Sequence, residues 1–172
     1  MEVFESKGIP TDIGALEKKY PIRRQGETEL HMRAALHAGG WLVEREFDVR
    51  FRDGFSLHGG GRLYVDIYGR SLVRRTNVVM EVKISQSDYL LSLPKYRRYI
   101  HHYKGVCWSP FAEHFFLVVL LGIPLRKRIP KRWGLLEYDD EKKSMAVISM
   151  PTRVECRPLR HGPSVDWIPE RL

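Results

Sequence analysis

The spacing of apolar positions along the chain changes several times, and each change predicts an element. From Glu27 onward, Leu30, Ala34, Ala35 and Ala38 recur at helical spacing, with Gly39 and Gly40 as a stop signal. Trp41 to Phe51 then alternates as a strand does, with Trp41, Val43, Arg45, Phe47, Val49 and Phe51 on one side. Glycines 59 to 61 mark a loop. Two further strands are expected over Arg62 to Tyr68 and Asn77 to Ile84, joined by a turn around Gly69 that carries Arg70, Arg74 and Arg75.

Pro94 predicts the start of a second helix, with Tyr96, Tyr99, Ile100 and Tyr103 spaced for burial and Lys95, Arg98 and His102 on another face. Ring burial in the core is favoured there over a base-stacking role. His114 to Leu121 is almost unbroken apolar sequence, as expected of a central strand. A proline-containing basic loop follows, with Arg126, Lys127, Arg128, Lys131 and Arg132 ahead of Trp133. Gly134 to Tyr138 and Ser144 to Ile148 can pair through Asp139, Asp140 and Glu141 as a hairpin. The predicted fold is mixed α/β, in the order helix, three strands, helix, strand, hairpin. A leader over 1–25 precedes a core over 26–150, and a weakly patterned tail covers 151–172.

Length and composition fit a single soluble domain: 172 residues, 43% apolar and 29% charged. The formal charge of +8 makes nucleic acid the first partner to consider, ahead of an anionic membrane surface. The longest apolar run, Phe115 to Ile123, is too short to cross a bilayer, and no secretory signal opens the chain, so an intracellular, cytoplasmic protein is expected. Cys107 and Cys156 lack metal-site spacing and are expected to be reduced, buried thiols. None of the histidines has ligand spacing, and no phosphate-binding glycine loop is present.

Chemistry enters at Asn77 to Ile84. Alternation points Val78, Met80, Val82 and Ile84 one way and Val79, Glu81 and Lys83 the other, so Glu81 and Lys83 stand side by side. One strand earlier, Asp66 interrupts a similar alternation of Leu63, Val65 and Ile67 with Tyr64 and Tyr68. If those strands are neighbours, Asp66 can meet Glu81. Two carboxylates and an ammonium within a sheet are costly to desolvate unless a divalent cation and a polyanion complete the site. Asp66, Glu81 and the Val82 carbonyl are hard oxygen donors that suit Mg²⁺ or Mn²⁺. On pattern alone, Glu81 and Lys83 read equally well as a solvated pair on a one-sided strand.

Asp66 followed by Glu81-Val82-Lys83 resembles the core of PD-(D/E)xK nucleases, with Tyr64-Val65 where a proline often precedes the aspartate. The resemblance implies a restriction-endonuclease-like fold and Mg²⁺-dependent hydrolysis of DNA phosphodiesters, with Asp66, Glu81 and Lys83 as catalytic residues and a 5′-phosphate left on one product. It also implies a helix-borne acid near the metal. Glu29 is placed as in archaeal Holliday-junction resolvases, with Glu27 as the competing choice and an ordinary helix N-terminal carboxylate as the alternative. A closer branch, the MmcB-like DNA-repair proteins, is similar from about residue 27 to 150, through Glu81-Val82-Lys83-Ile84-Ser85, Asp88-Tyr89-Leu90 and the aromatic stretch Lys95-Tyr96-Arg97-Arg98-Tyr99.

Ser85, Gln86, Ser87 and Asp88 can hold phosphate or support the metal's ligands, with capping of the next element favoured for the serines. Basic clusters around Arg74 and Arg75, around Lys95 and Arg98, and at Arg126, Lys127 and Arg128 suggest a DNA-tracking surface, against the alternative of a merely solvated face. The expected activity is structure-specific rather than sequence-specific, in DNA repair, recombination or replication. Two cuts would need two sites, which leaves room for a homodimer. A non-catalytic nucleic-acid-binding module on a nuclease scaffold and an RNA nuclease are the competing readings.

Overall fold

The computed structural model describes residues 28–56, 62–71, 73–125 and 129–157. Glu27, the glycines at 59–61, Arg126, Lys127, Arg128, the expected leader and the chain beyond Arg157 lie outside the described residues.

Helix α1 spans Glu29–Val43 and is capped by Thr28, whose hydroxyl accepts the His31 amide at 3.2 Å. It continues through Gly39 and Gly40, against the expected stop. Packing explains this: a Cβ on Gly39 would lie 2.5 Å from Cζ of Phe51, so glycine here permits close approach of helix to strand. Trp41 and Val43 therefore finish the helix, and strand β1 begins only at Asp48 (Asp48–Ser56). An antiparallel meander follows, of β1, β2 (Arg62–Ser71) and β3 (Thr76–Lys83).

The second helix, α2, spans Gln86–Tyr96 rather than starting at Pro94. Ser85 caps it, accepting the Asp88 amide at 3.2 Å, so capping is its observed contact. Pro94 lies in the last turn, where its missing N–H forfeits one ladder bond, and the helix ends two residues later at Tyr96. Beyond the helix, β4 (His101–Tyr103) and β5 (Val106–Ser109) form a hairpin that sequence reading missed. Lys104 and Gly105 both take positive φ, 46° and 79°, as a two-residue turn requires. Tyr103, expected to be buried on a helix, is exposed on this hairpin. The chain continues through β6 (His114–Leu120), β7 (Gly134–Asp139), β8 (Ser144–Ser149) and the short β9 (Glu155–Cys156).

The main sheet has the order β1-β2-β3-β6-β7-β8 and is mixed, with β3, β6 and β7 parallel and the other pairs antiparallel. Strands β4, β5 and β9 form a second, smaller sheet. A parallel β3 to β6 connection needs a long crossover, and α2 with the hairpin supplies it.

Two apolar cores flank the main sheet. In one, Ala34, Ala35, Ala38 and Leu42 of α1 pack on Val49, Phe51, Ile67, Val78, Met80, Val82, Phe116 and Val118. The other contains Phe55, Val65, Val79, Tyr89, Tyr96, Tyr99, Phe111, Phe115 and Trp133. Strand β3 thus alternates as its sequence predicts, whereas β2 does not. Leu63 and Val65 join the second core, Ile67 the first and Tyr68 the second again, so the single alternation expected through Asp66 breaks there. Arg52, between the pairs Phe51↔Ile67 and Asp53↔Val65, takes φ 53°, and the ribbon switches faces at this point. Arg33 of α1 ties the helix to the turn after β7 through two bonds to the Asp140 carboxylate, at 2.9 and 3.0 Å.

Candidate functional site

Glu81 and Lys83 share one face of β3, near its C-terminal end, and both are buried, at 1% and 7% exposure. That excludes the solvated pair. Ionisable groups this deep persist by being partnered, and each is. The Tyr99 hydroxyl donates to Glu81 Oε1 at 2.5 Å, and Lys95 Nζ reaches both carboxylate oxygens, at 2.9 and 3.1 Å. Burial and the neighbouring Glu81 charge hold the Tyr99 phenol well above its ordinary pKa, so it stays a donor. Lys83 Nζ lies 3.2 Å from Asp88 Oδ1 on the first turn of α2.

Asp66 meets this group from β2. Regular pairing between β2 and β3 runs from Ser71↔Thr76 to Ile67↔Met80. One step further the Asp66 side chain takes over: its Oδ2 accepts the Val82 amide at 2.7 Å. His31 Nε2 of α1 stands 3.7 Å from the same oxygen, an ion-pair rather than hydrogen-bond distance. The break in β2 alternation thus turns Asp66 toward the backbone of β3.

The two carboxyls are pushed in opposite directions. Burial raises Glu81, the charge of Asp66 raises it further, and Lys95, Lys83 and Tyr99 oppose this only in part, so the group titrates at about 6. Burial would raise Asp66 as well, but His31 in its protonated form, then Lys83 and the Val82 amide, outweigh it and bring Asp66 down to about 2. Asp66 thus acts on Glu81, and Lys83 acts on both. At neutral pH both are carboxylates, hard oxygen donors on adjacent strands. Among the described residues, no three histidine, cysteine or acidic side chains gather as a ready metal cage. The donor set therefore fits a hard cation in kind, with two carboxylates and the remainder left to backbone or water.

Other sequence-predicted residues distribute unevenly. Val82 contributes its amide to Asp66 while its side chain joins the α1-side core. Glu29 is largely exposed at the start of α1, with an oxygen 3.9 Å from Arg33, and the α1 side chain beside Asp66 is His31. Gln86 opens α2 next to the site, and its amide nitrogen is buried without a hydrogen-bond partner. Lys95 is part of the site itself. Arg98 is exposed just beyond α2, not on a helix face. Arg74 and Arg75 lie in the turn before β3, about 17 Å of strand away from Glu81, so that cluster is not brought to the site. Arg74 instead lines a groove of about 730 Å³ with Trp41, Arg45, Val78, His114 and Phe116. Cys107 and Cys156 are free, half-buried rather than buried.

Sequence reading missed His31 and the role of Tyr99; Asp88, expected beside phosphate or metal, partners Lys83. A histidine two positions after Glu29 on a helix carries no spacing signal, because i and i+2 diverge. Tyr99 was legible only as a core ring.

No family model matches the chain, and no curated protein matches it. Among solved structures it is similar to the SPO1766 protein of unknown function from Silicibacter pomeroyi, with a TM-score of 0.55 and 19% identity over 77% of this chain and 78% of that one. That likeness shows a shared fold. Among the described residues, no helix is long and apolar enough to cross a membrane.

Proposed function

We propose that the protein is a metal-dependent DNA nuclease of restriction-endonuclease-like fold, hydrolysing phosphodiester bonds at Asp66, Glu81 and Lys83. The observation that carries this reading is the burial of Glu81 and Lys83 on one face of β3, where burial first and the Asp66 charge second push the Glu81 carboxyl up to about 6. Two titratable groups in one cluster whose surroundings separate their pKa values mark a candidate functional site.

Asp66, Glu81 and the Val82 carbonyl would hold Mg²⁺ or Mn²⁺, which when bound supplies Lewis acidity toward the scissile phosphate. The chain's own groups do the rest. Lys83, shielded from solvent beside Asp88, places an ammonium where charge builds on the phosphate oxygens. Lys95, one-third exposed, bridges the buried Glu81 carboxylate to the surface and meets an incoming phosphate. Gln86 has an unused amide donor in the same neighbourhood. His31 and the Val82 amide keep Asp66 ionised and oriented. The formal charge of +8 favours a polyanionic substrate.

One observation favours a second reading. Lys95 already neutralises Glu81 with two short contacts, as it would in a nucleic-acid-binding module that has lost catalysis. Cleavage assays with Mg²⁺ or Mn²⁺ on single-stranded, duplex, flap and junction DNA, with RNA in parallel and Asp66→Ala as control, separate these. Metal-dependent cutting of DNA that Asp66→Ala loses is the expected result. Binding without any cut on every substrate means a binding module, and cutting of RNA alone means a ribonuclease.

A further inference from the structure

The chain leaves the candidate site through a stretch charged with one sign only. Between Asp88 and Glu113 there is no acidic side chain, while Lys95, Arg97, Arg98 and Lys104 all fall there. Lys95 touches Glu81; Arg97 and Arg98 are exposed; the β4–β5 hairpin follows at once. All three residues of β4 are exposed. The other tyrosines of this stretch, Tyr89, Tyr96 and Tyr99, are almost wholly buried, yet Tyr103 is 67% exposed at the hairpin tip. Lys104 holds its ammonium 5.3 Å from the Tyr103 ring centre, and His101 stacks on Trp108 at 4.5 Å on the same hairpin. The turn holds Lys104 and Gly105 in left-handed backbone between the paired Tyr103 and Val106, so the ring lies on the last strand position and the cation on the turn beside it.

We infer that this hairpin is a nucleic-acid-binding wing of the site, with Arg97, Arg98 and Lys104 on phosphates and Tyr103 stacked on an unpaired base. The inference rests on the nuclease reading and narrows its substrate class to DNA with unpaired nucleotides beside the scissile bond. An exposed ring offers a π-face to any base that is not already stacked in a duplex, and the neighbouring cations track the backbone. Reach is sufficient. Tyr99 sits on Glu81, and the chain from there through a bend at Ile100 and the three residues of β4 places the Tyr103 backbone at most about 14 Å away. That is about four nucleotide rises along a strand.

The test is fluorescence anisotropy of a labelled single-stranded oligonucleotide and of the same sequence as a blunt duplex, in EDTA, with the full chain. Wild type is compared with Tyr103→Ala, Tyr103→Phe and Lys104→Ala, and cleavage of both substrates is measured in parallel with Mn²⁺. Tyr103→Ala is expected to weaken single-strand binding on the order of tenfold and duplex binding far less, with Tyr103→Phe close to wild type. Lys104→Ala is expected to lower the salt slope of log affinity by about one. If wild type binds and cuts DNA but the wing variants match it, the wing is wrong and the nuclease reading stands. Equal losses on single strand and duplex overturn the unpaired-base class. A change of oligomeric state in light scattering, with DNA affinity intact, makes the hairpin a protein contact and overturns the wing. Wild type that neither binds nor cuts overturns both readings.

Discussion

Lys95 Nζ sits 2.9 and 3.1 Å from the two oxygens of Glu81, a carboxylate that is 1% exposed, while Lys95 itself is one-third exposed. An internal cation thus covers the buried carboxylate on its solvent side. A divalent ion binding Glu81 must share it with Lys95 or displace it, and the two like charges repel. Lys95→Met is therefore expected to bind Mn²⁺ more tightly than wild type, on the order of tenfold, in calorimetric titration at neutral pH. Unchanged or weaker binding would mean that Lys95 does not compete for the carboxylate.

The raised Glu81 carboxyl gives folding stability a defined pH dependence. In the unfolded chain this group titrates near its ordinary 4.5, and in the folded protein at about 6. Between those values the folded state binds the extra proton, so stability falls as pH rises through the window, by about 2 kcal/mol from this group. Asp66 acts in the opposite sense and elsewhere: its stabilisation is present above 3.8 and is lost as pH falls through about 2. Urea melts of wild type and Glu81→Gln from pH 4.5 to 7 check this, because the glutamine variant should lose that slope. The same proton bears on activity, since only the carboxylate form is an oxygen donor for a metal. Cleavage should therefore decline as pH drops below about 6.

Gly39 makes a packing prediction with an unusual sign. Replacing a mid-helix glycine by alanine ordinarily stabilises by about 1 kcal/mol. Here the added Cβ would lie 2.5 and 2.7 Å from two atoms of the Phe51 ring, inside a core that also holds Val49. Gly39→Ala is expected to destabilise by ~1–3 kcal/mol in denaturant unfolding. Phe51→Leu in the Gly39→Ala background should recover part of that loss. A more stable Gly39→Ala would show that α1 can move off β1 freely.

The same glycine shows how far the sequence could be read. Strand β3 was legible because both of its faces are covered by different chemistry, so its period of two survives in the residue types. β6 was legible for a different reason, because both of its faces are buried in apolar cores and its sequence is almost unbroken apolar. The acidic turn at Asp139, Asp140 and Glu141 marked the β7–β8 pair. Gly39-Gly40 misled because glycine ends helices and also lets them pack closely, and only the position of Phe51 decides between the two uses. Pro94 misled because proline is most at home in an opening turn, whereas here it stands two residues from the end of the helix. In the candidate site, Glu81 and Lys83 could be placed on one face from alternation alone. The orientation of Asp66 depends on a reversal of faces opposite Arg52, and the approach of His31 on how α1 lies on the sheet. Both are tertiary facts with no local signature.

Which α1 side chain serves the site is decided by comparing His31 with Glu29. His31 lies 3.7 Å from the Asp66 carboxylate and helps hold it down to about 2, whereas Glu29 is largely exposed, with its oxygen 3.9 Å from Arg33. Removing His31 should let the Asp66 carboxyl rise, visible in a carboxyl NMR titration, while leaving it ionised at neutral pH. His31→Ala should then reduce cleavage only moderately, on the order of tenfold, because orientation is lost but the ligand charge is kept. Asp66→Ala should abolish cleavage, and Glu29→Ala should leave both cleavage and the Asp66 titration close to wild type. If instead Glu29→Ala abolishes cleavage and His31→Ala does not alter it, the helix contributes an acid to the site. The Arg33 contact of Glu29 would then have to break when metal and substrate bind.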